Sequence, residues 1–209
     1  MITIALAKGR LARETNELLS RCGIMIPELE DKDTRKLIFT NKEAGINVFL
    51  SKPSDVPTYV EYGAADIGVV GRDTLLEENR DLYEVLDLGF GKCRMCVCGR
   101  PEDAGKLKNS RQIRVATKYP VIAKDYFHNR KFQTVEIIKL NGSVELAPLV
   151  GLADVIVDIV ETGSTLHENG LDVLETVIPL SARMVVNQVS MKMKEREIKP
   201  FIKSIKAVL

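Results

Sequence analysis

The chain reads as an α/β protein with largely parallel sheets, and three observations carry that reading. Short apolar runs alternate with segments of helical periodicity almost throughout, the pattern of repeated βαβ units. Part of the chain also recurs. Gly63-Ala64-Ala65-Asp66-Ile67 matches Gly151-Leu152-Ala153-Asp154-Val155, and Thr74-Leu75-Leu76-Glu77-Glu78-Asn79 matches Thr165-Leu166-His167-Glu168-Asn169. Upstream, IALAKGRLARE is similar to IRVATKYPVIAKD, with Lys8 against Lys118, so one α/β unit is expected twice. Third, residues 154–170, DVIVDIVETGSTLHENG, run from an apolar strand into a Thr-Gly-Ser-Thr turn and then a helix.

Each element has a local reason. Residues 2–7 form a short apolar strand, and 13–22 carry leucines at helical spacing. Residues 45–50 are a strand, followed by a helix over 55–62 that starts at Asp55 with Pro57 in its first turn. Residues 66–70 are a strand and 73–79 a helix. The segment CRMCVCG at 93–99 reads as a strand of small apolar residues. The second series is strand 113–117, helix 121–129, strand 135–140, helix 144–152 and strand 154–160. A strand at 183–189 and a helix at 194–208 close the chain. The chain is expected to cross between lobes near residues 88–91 and near Pro179. One lobe is then 1–89 plus 179–209 and the other 90–178, with a cleft between them, a favoured place for a ligand.

Composition excludes several classes. The 209 residues, 45% hydrophobic and 28% charged, are those of an ordinary globular protein. A net charge of +1 gives no bulk electrostatic case for nucleic acid or an anionic membrane. No apolar run is long enough for a transmembrane helix. The start, MITIALAKGR, lacks the pattern of a signal peptide, so a cytoplasmic location is expected. Of the four cysteines, Cys93, Cys96 and Cys98 cluster, but no second cluster accompanies them and the only histidines are His128 and His167. Packing thiols are the better reading, and no metal ligands are assigned.

The chemistry gathers at the recurring strand-to-helix turn. Gly163 lets the backbone approach a ligand, Thr162, Ser164 and Thr165 offer hydroxyls, and helix-start N–H groups favour an anion such as a phosphomonoester. The alternative is that the hydroxyls only cap the helix. Asp154 and Asp158 fall on one face of a strand and suit ribose hydroxyls, although Asp66, the counterpart of Asp154, allows a purely structural role. Glu145, after Asn141-Gly142-Ser143, could cap a helix or contact a ligand. Lys8, Arg10, Arg35, Lys52, Arg72 and Arg94 fall near loop boundaries and as a group suit a polyphosphate. There is no Walker loop, no complete dinucleotide fingerprint and no nucleophile elbow.

Residues 140–171, LNGSVELAPLVGLADVIVDIVETGSTLHENGL, resemble the signature of the ATP phosphoribosyltransferase family. ALAKGRL, KPSDVPTYVEYGAADIGVVG and VVNQVSMKMK are similar to the same family, so the resemblance spans essentially the whole chain. It implies two periplasmic-binding-protein-like lobes, the residue 1–89 lobe on the ATP side. It also implies that N1 of the ATP adenine attacks phosphoribosyl pyrophosphate (PRPP), with magnesium accompanying the pyrophosphate. Asp154 and Asp158 would bind the ribose, and Glu161, Thr162, Gly163, Ser164, Thr165 and Leu166 the 5-phosphate. Lys8, Gly9, Arg10 and Lys52, with Arg72 and Arg94, would serve ATP and the polyphosphate, Lys8, Arg10 and Lys52 being the expected catalytic cations. The length resembles the short form, for which the resemblance implies a homodimer within a hetero-oligomer and a regulatory subunit similar to histidyl-tRNA synthetase. A solute-binding module shares such a fold but has no use for Asp158 within the strand. A nucleobase-salvage phosphoribosyltransferase would also use paired acids and a Thr-rich loop, but the internal repeat does not suit its single lobe.

Overall fold

The computed structural model describes residues 1–29, 36–105, 107 and 112–209. Arg35 lies outside them. The chain forms two units, Met1–Gly91 with Ser181–Leu209, and Lys92–Leu180.

The first unit holds a six-stranded sheet in the order β2-β3-β1-β4-β11-β5. Its strands are β1 (Ile2–Ala7), β2 (Ile38–Asn41), β3 (Ile46–Ser51), β4 (Ile67–Gly71), β5 (Tyr83–Asp87) and β11 (Ala182–Val186). β1 lies parallel between β3 and β4, and β2, β11 and β5 join antiparallel. Alternation along β1 sets the layers. Ile2, Ile4 and Leu6 pack with Leu18 and Leu19 of α1 (Arg10–Arg21) and with Ile198, Phe201 and Ile205 of α8 (Glu195–Ala207). Ala5 and Ala7 face the other way, with Val70, Val185, and Val56 and Val60 of α2 (Val56–Glu61). α2 lies so close to β4 that a Cβ on Gly68 would come within 2.7 Å of Val60 Cγ2. α3 (Arg72–Glu78) follows β4.

The second unit holds a five-stranded sheet in the order β10-β6-β9-β7-β8. Its strands are β6 (Cys93–Gly99), β7 (Ile113–Thr117), β8 (Val135–Lys139), β9 (Val155–Val160) and β10 (Asp172–Leu180). β7 lies parallel between β8 and β9, with β6 and β10 antiparallel. Its helices include α4 (Pro120–Lys124), which continues into a wider-wound turn over Asp125–Arg130, α5 (Leu146–Leu149) and α6 (Ser164–Glu168).

The two sheets carry one topology. The order β3-β1-β4-β11-β5 in the first unit corresponds to β8-β7-β9-β6-β10 in the second, with the same strand directions. Hydrogen bonds fix the register of the repeat. Asp66 Oδ2 accepts from the Thr3 amide at 2.9 Å, and the Asp66 amide donates to the Thr3 carbonyl at 2.8 Å. Asp154 Oδ2 accepts from the Arg114 amide at 2.9 Å, and its own amide donates to the Arg114 carbonyl at 2.9 Å. Thr3 therefore corresponds to Arg114. The match of Lys8 to Lys118 in the sequence is one residue out of register: Lys8 corresponds to Tyr119, and Lys118 to Ala7. On a strand that one residue changes the face.

Other expectations shift for local reasons. The helix expected over 144–152 is a single turn. The strand expected over 183–189 stops at Val186, because Asn187 Oδ1 accepts from the Ser190 amide at 2.8 Å and starts α7 (Gln188–Met193). Cys96 and Cys98 are buried packing thiols, and among the described residues no disulfide forms. Among the described residues no His, Cys, Asp and Glu cluster could hold a metal ion, and no helix is long and apolar enough to cross a membrane.

Candidate active site

The carboxyl ends of the parallel triplets carry the polar residues that sequence reasoning singled out, as expected for open α/β sheets. In the first unit Ala7 and Ser51 are register partners, so Lys8 and Lys52 follow on neighbouring strands. The Lys8 amide donates to the Ser51 carbonyl at 2.9 Å. Gly9, at φ +99°, turns the chain into α1, where Arg10 Nε stands 3.9 Å from Glu14 Oε1. Arg72 follows β4 at the same sheet edge, and its amide donates to the Ser181 carbonyl at 3.0 Å. Its Nε is buried without a hydrogen-bond partner among the described residues. The fold thus gathers Lys8, Gly9, Arg10, Lys52 and Arg72 along one edge.

In the second unit β9 runs into the turn, and a cavity of about 340 Å³ opens there. Its lining includes Asp158, Glu145 and the whole stretch from Glu161 to Leu166. Gly163 adopts φ +86°, a left-handed conformation that glycine takes without strain, and it is the N-cap of α6. Among the described residues no side chain caps this helix. Thr162 Oγ1 instead stands 3.1 Å from Ser164 Oγ and accepts weakly from the Ser164 amide at 3.4 Å. Leu166 anchors the turn, since its side chain is buried with Ile156, Val160, Val144 and Ala147. The first turn of a helix leaves amide hydrogens without intrahelical acceptors, so the cavity floor suits an anion.

Asp158 sits mid-strand, opposite Cys96 of β6. Burial raises its pKa most, and the Glu145 charge adds to that. The Ile159 amide and the Lys118 charge oppose both, leaving the carboxyl pushed up to about 6. Two carboxylates lining one cavity suit hydroxyl donors.

Two residues stand apart from their expected places. Asp154 lies before the amino end of β9, about 13 Å of strand from Asp158. Its carboxylate holds the Arg114 amide, and Arg114 Nε stands 3.6 Å away, so it joins β7 to β9 rather than lining the cavity. Arg94, on β6 opposite Val160, lines an adjoining cavity of about 300 Å³ beyond Thr162 and Gly163, beside the His167–Asp172 pair. It belongs to the second unit. Glu145 gave only an ambiguous signal in sequence, as an acid at a helix start.

Fold and site together define an α/β protein of duplicated units with a carboxylate-lined cavity at a strand-to-helix turn, an arrangement suited to a sugar phosphate. Residues 52–207 match the family model described as HisG: ATP phosphoribosyltransferase. An ATP phosphoribosyltransferase of Lachnospira eligens is 70% identical over 98% of this chain and 95% of its own length. That of Lachnoclostridium phytofermentans is 65% identical over 100% and 97%. Among solved structures, the ATP phosphoribosyl transferase (HisG:HisZ) complex from Thermotoga maritima matches with a TM-score of 0.83 at 35% identity, covering 100% of this chain and 98% of that one. The VFT2 domain of Bordetella pertussis BvgS, at 13% identity and a TM-score of 0.60, shares the fold alone, over 98% of this chain and 85% of that one. The chain belongs to the ATP phosphoribosyltransferase family, pentosyltransferases that catalyse the first step of histidine biosynthesis.

Proposed function

We propose that the 340 Å³ cavity of the second unit holds the phosphoribosyl end of PRPP while N1 of the ATP adenine displaces pyrophosphate. The observation that carries this assignment is the convergence of Asp158 and Glu145 on the Thr162–Thr165 turn in one cavity. The carboxylates accept hydrogen bonds from the ribose 2- and 3-hydroxyls, and the turn takes the 5-phosphate. The N1 lone pair forms the new bond to the anomeric carbon as the bond to pyrophosphate oxygen breaks, with inversion. Positive charge develops on the ribose, so nearby carboxylates favour the transition state over the ground state. No side-chain nucleophile is required. Lys8, Arg10, Lys52 and Arg72 of the first unit are assigned to ATP and polyphosphate charge. Magnesium enters as part of the PRPP substrate, bound by pyrophosphate oxygens and water.

The Thermotoga relative was solved as a HisG:HisZ complex, and this supports a regulatory partner of the same kind for this chain. We assign the chain to homodimers within such a hetero-oligomer, working in the cytoplasm. The test is to mix the protein with ATP, PRPP and magnesium and follow pyrophosphate release, with free adenine replacing ATP in parallel. Release with ATP and none with adenine is expected. Release with adenine alone, or no release even with a regulatory subunit supplied, overturns the assignment.

A further inference from the structure

The duplication provides an internal control for the site. With Thr3 matched to Arg114, Ala7 corresponds to Lys118. With Asp66 matched to Asp154, Val70 corresponds to Asp158 and Pro57 to Glu145. The last match is supported by two equivalent loop bonds, from the Ala65 amide to the Tyr59 carbonyl and from the Ala153 amide to the Ala147 carbonyl. In the first unit all three positions are apolar, and Ala7 and Val70 are buried in one cluster between sheet and α2. In the second unit the same three positions carry Lys118, Asp158 and Glu145. Two new acids at a half-buried sheet edge repel one another, and the third replacement is a cation.

Lys118 is held in place on both sides. Thr117, fully buried, donates its hydroxyl to the Val157 carbonyl at 2.6 Å and accepts from the Tyr119 amide at 2.9 Å. Thr117 and Val157 are the last register partners of β7 and β9, so Lys118 and Asp158 are the residues that follow them side by side. The Lys118 ammonium lies 6.0 Å from the centre of the Tyr119 ring and is exposed. The other groups around Asp158 are Cys96 and Cys98 of β6, both buried thiols, and Glu145 before α5. Arg94 lies further along β6, opposite Val160. Among the described residues, Lys118 is thus the cation that the register places next to Asp158.

We propose that Lys118 is a positioning residue of this site, which keeps Asp158 charged and so sets the lower pH bound of phosphoribosyl binding. This rests on Asp158 as the ribose ligand. An opposite charge nearby favours the ionised carboxylate. Removing it moves the acid limb of kcat/KM for PRPP upward.

The experiment compares wild type, Lys118→Met, Lys118→Arg and Asp158→Asn, each measured from pH 5 to 9. A side-chain carboxyl NMR titration of Asp158 in the unliganded protein runs alongside. Lys118→Met is expected to shift the acid limb up by roughly half a pH unit, which is about a threefold loss well below the limb and little loss at pH 8.5. Lys118→Arg is expected to restore the limb, and the NMR titration to shift in the same sense. A uniform loss at every pH makes Lys118 a direct substrate contact and overturns the proposal, as does an unmoved limb and NMR titration. If Asp158→Asn retains full PRPP use, the ribose assignment itself fails. If Asp158→Asn loses PRPP use while Lys118→Met leaves the limb unmoved, only the role of Lys118 fails.

Discussion

Asp66 and Asp158 show how surroundings give one residue type opposite behaviour. Burial pushes the Asp66 carboxyl up. Hydrogen bonds from Lys194 (2.8 Å), Ser190 (2.7 Å) and the Thr3 amide (2.9 Å) outweigh it and hold the pKa below the ordinary value. A depressed carboxylate adds stability that is present above its unfolded pKa and lost as pH falls through its folded one. Asp66→Asn is expected to cost roughly 2–4 kcal/mol at pH 7, a cost that shrinks as pH falls below the ordinary carboxylate range, read from urea unfolding across that range. Asp158 has the reverse sign. Its pKa is raised to about 6, so its favourable contribution exists below the ordinary carboxylate range and is lost as pH rises through about 6. Unliganded Asp158→Asn is therefore expected to be more stable than wild type at pH 7.5, by roughly 1–3 kcal/mol. The same variant is expected to lose about 10²–10³ in kcat/KM for PRPP. A destabilised variant, or one with full activity, would contradict the view of Asp158 as a strained functional acid.

At the level of elements, the turn after β9 was legible in sequence because its signal is local. An apolar run, a glycine flanked by hydroxyls and a helix start sit in one short stretch. Gly163 sits at the centre of that turn. A Cβ there would meet nothing nearer than Val160 Cγ1 at 3.8 Å, so the difficulty is φ +86° rather than space. Gly163→Ala is expected to cost about 1–2 kcal/mol of local strain. That loss should appear as roughly tenfold weaker PRPP binding by calorimetry, with secondary structure retained. Wild-type affinity would show that the turn does not need its glycine. Other elements were not legible. β2, β5 and β10 are strands whose burial pattern is mostly partial or exposed, so they lack the apolar runs that marked β1, β4 and β9. The misreading of Asp154 has a different cause. Periodicity places it on the correct face of a strand but cannot say that the strand end opposite the turn is closed by Arg114. Lys118 was hidden because the upstream part of the repeat was aligned on Lys8 and Lys118, whereas the hydrogen bonds to Asp66 and Asp154 pair Thr3 with Arg114.

Across the molecule, the duplicated topology is built from chain segments of unequal continuity. The second unit is one uninterrupted stretch, Lys92–Leu180, containing its whole five-stranded sheet. The first unit closes only when Ser181–Leu209 returns. That segment supplies β11, which sits inside the sheet between β4 and β5, and α8, whose Ile198, Phe201 and Ile205 cover Ile2 and Ile4. Without it β4 and β5 have no shared neighbour, and an apolar face of β1 is open to water. Losing three large core side chains alone removes several kcal/mol, comparable with the whole stability of a domain. A fragment of residues 92–180 is therefore expected to unfold cooperatively in urea and to keep weak, salt-sensitive affinity for PRPP. A fragment of residues 1–180 is expected to show the unfolding of that second unit only, with the first part of the chain exchanging its amide hydrogens at unfolded rates. Adding residues 181–209 as a separate peptide should restore protection at β4 and β5. Protection of those strands without the peptide would mean that the first unit is held by its parallel triplet alone.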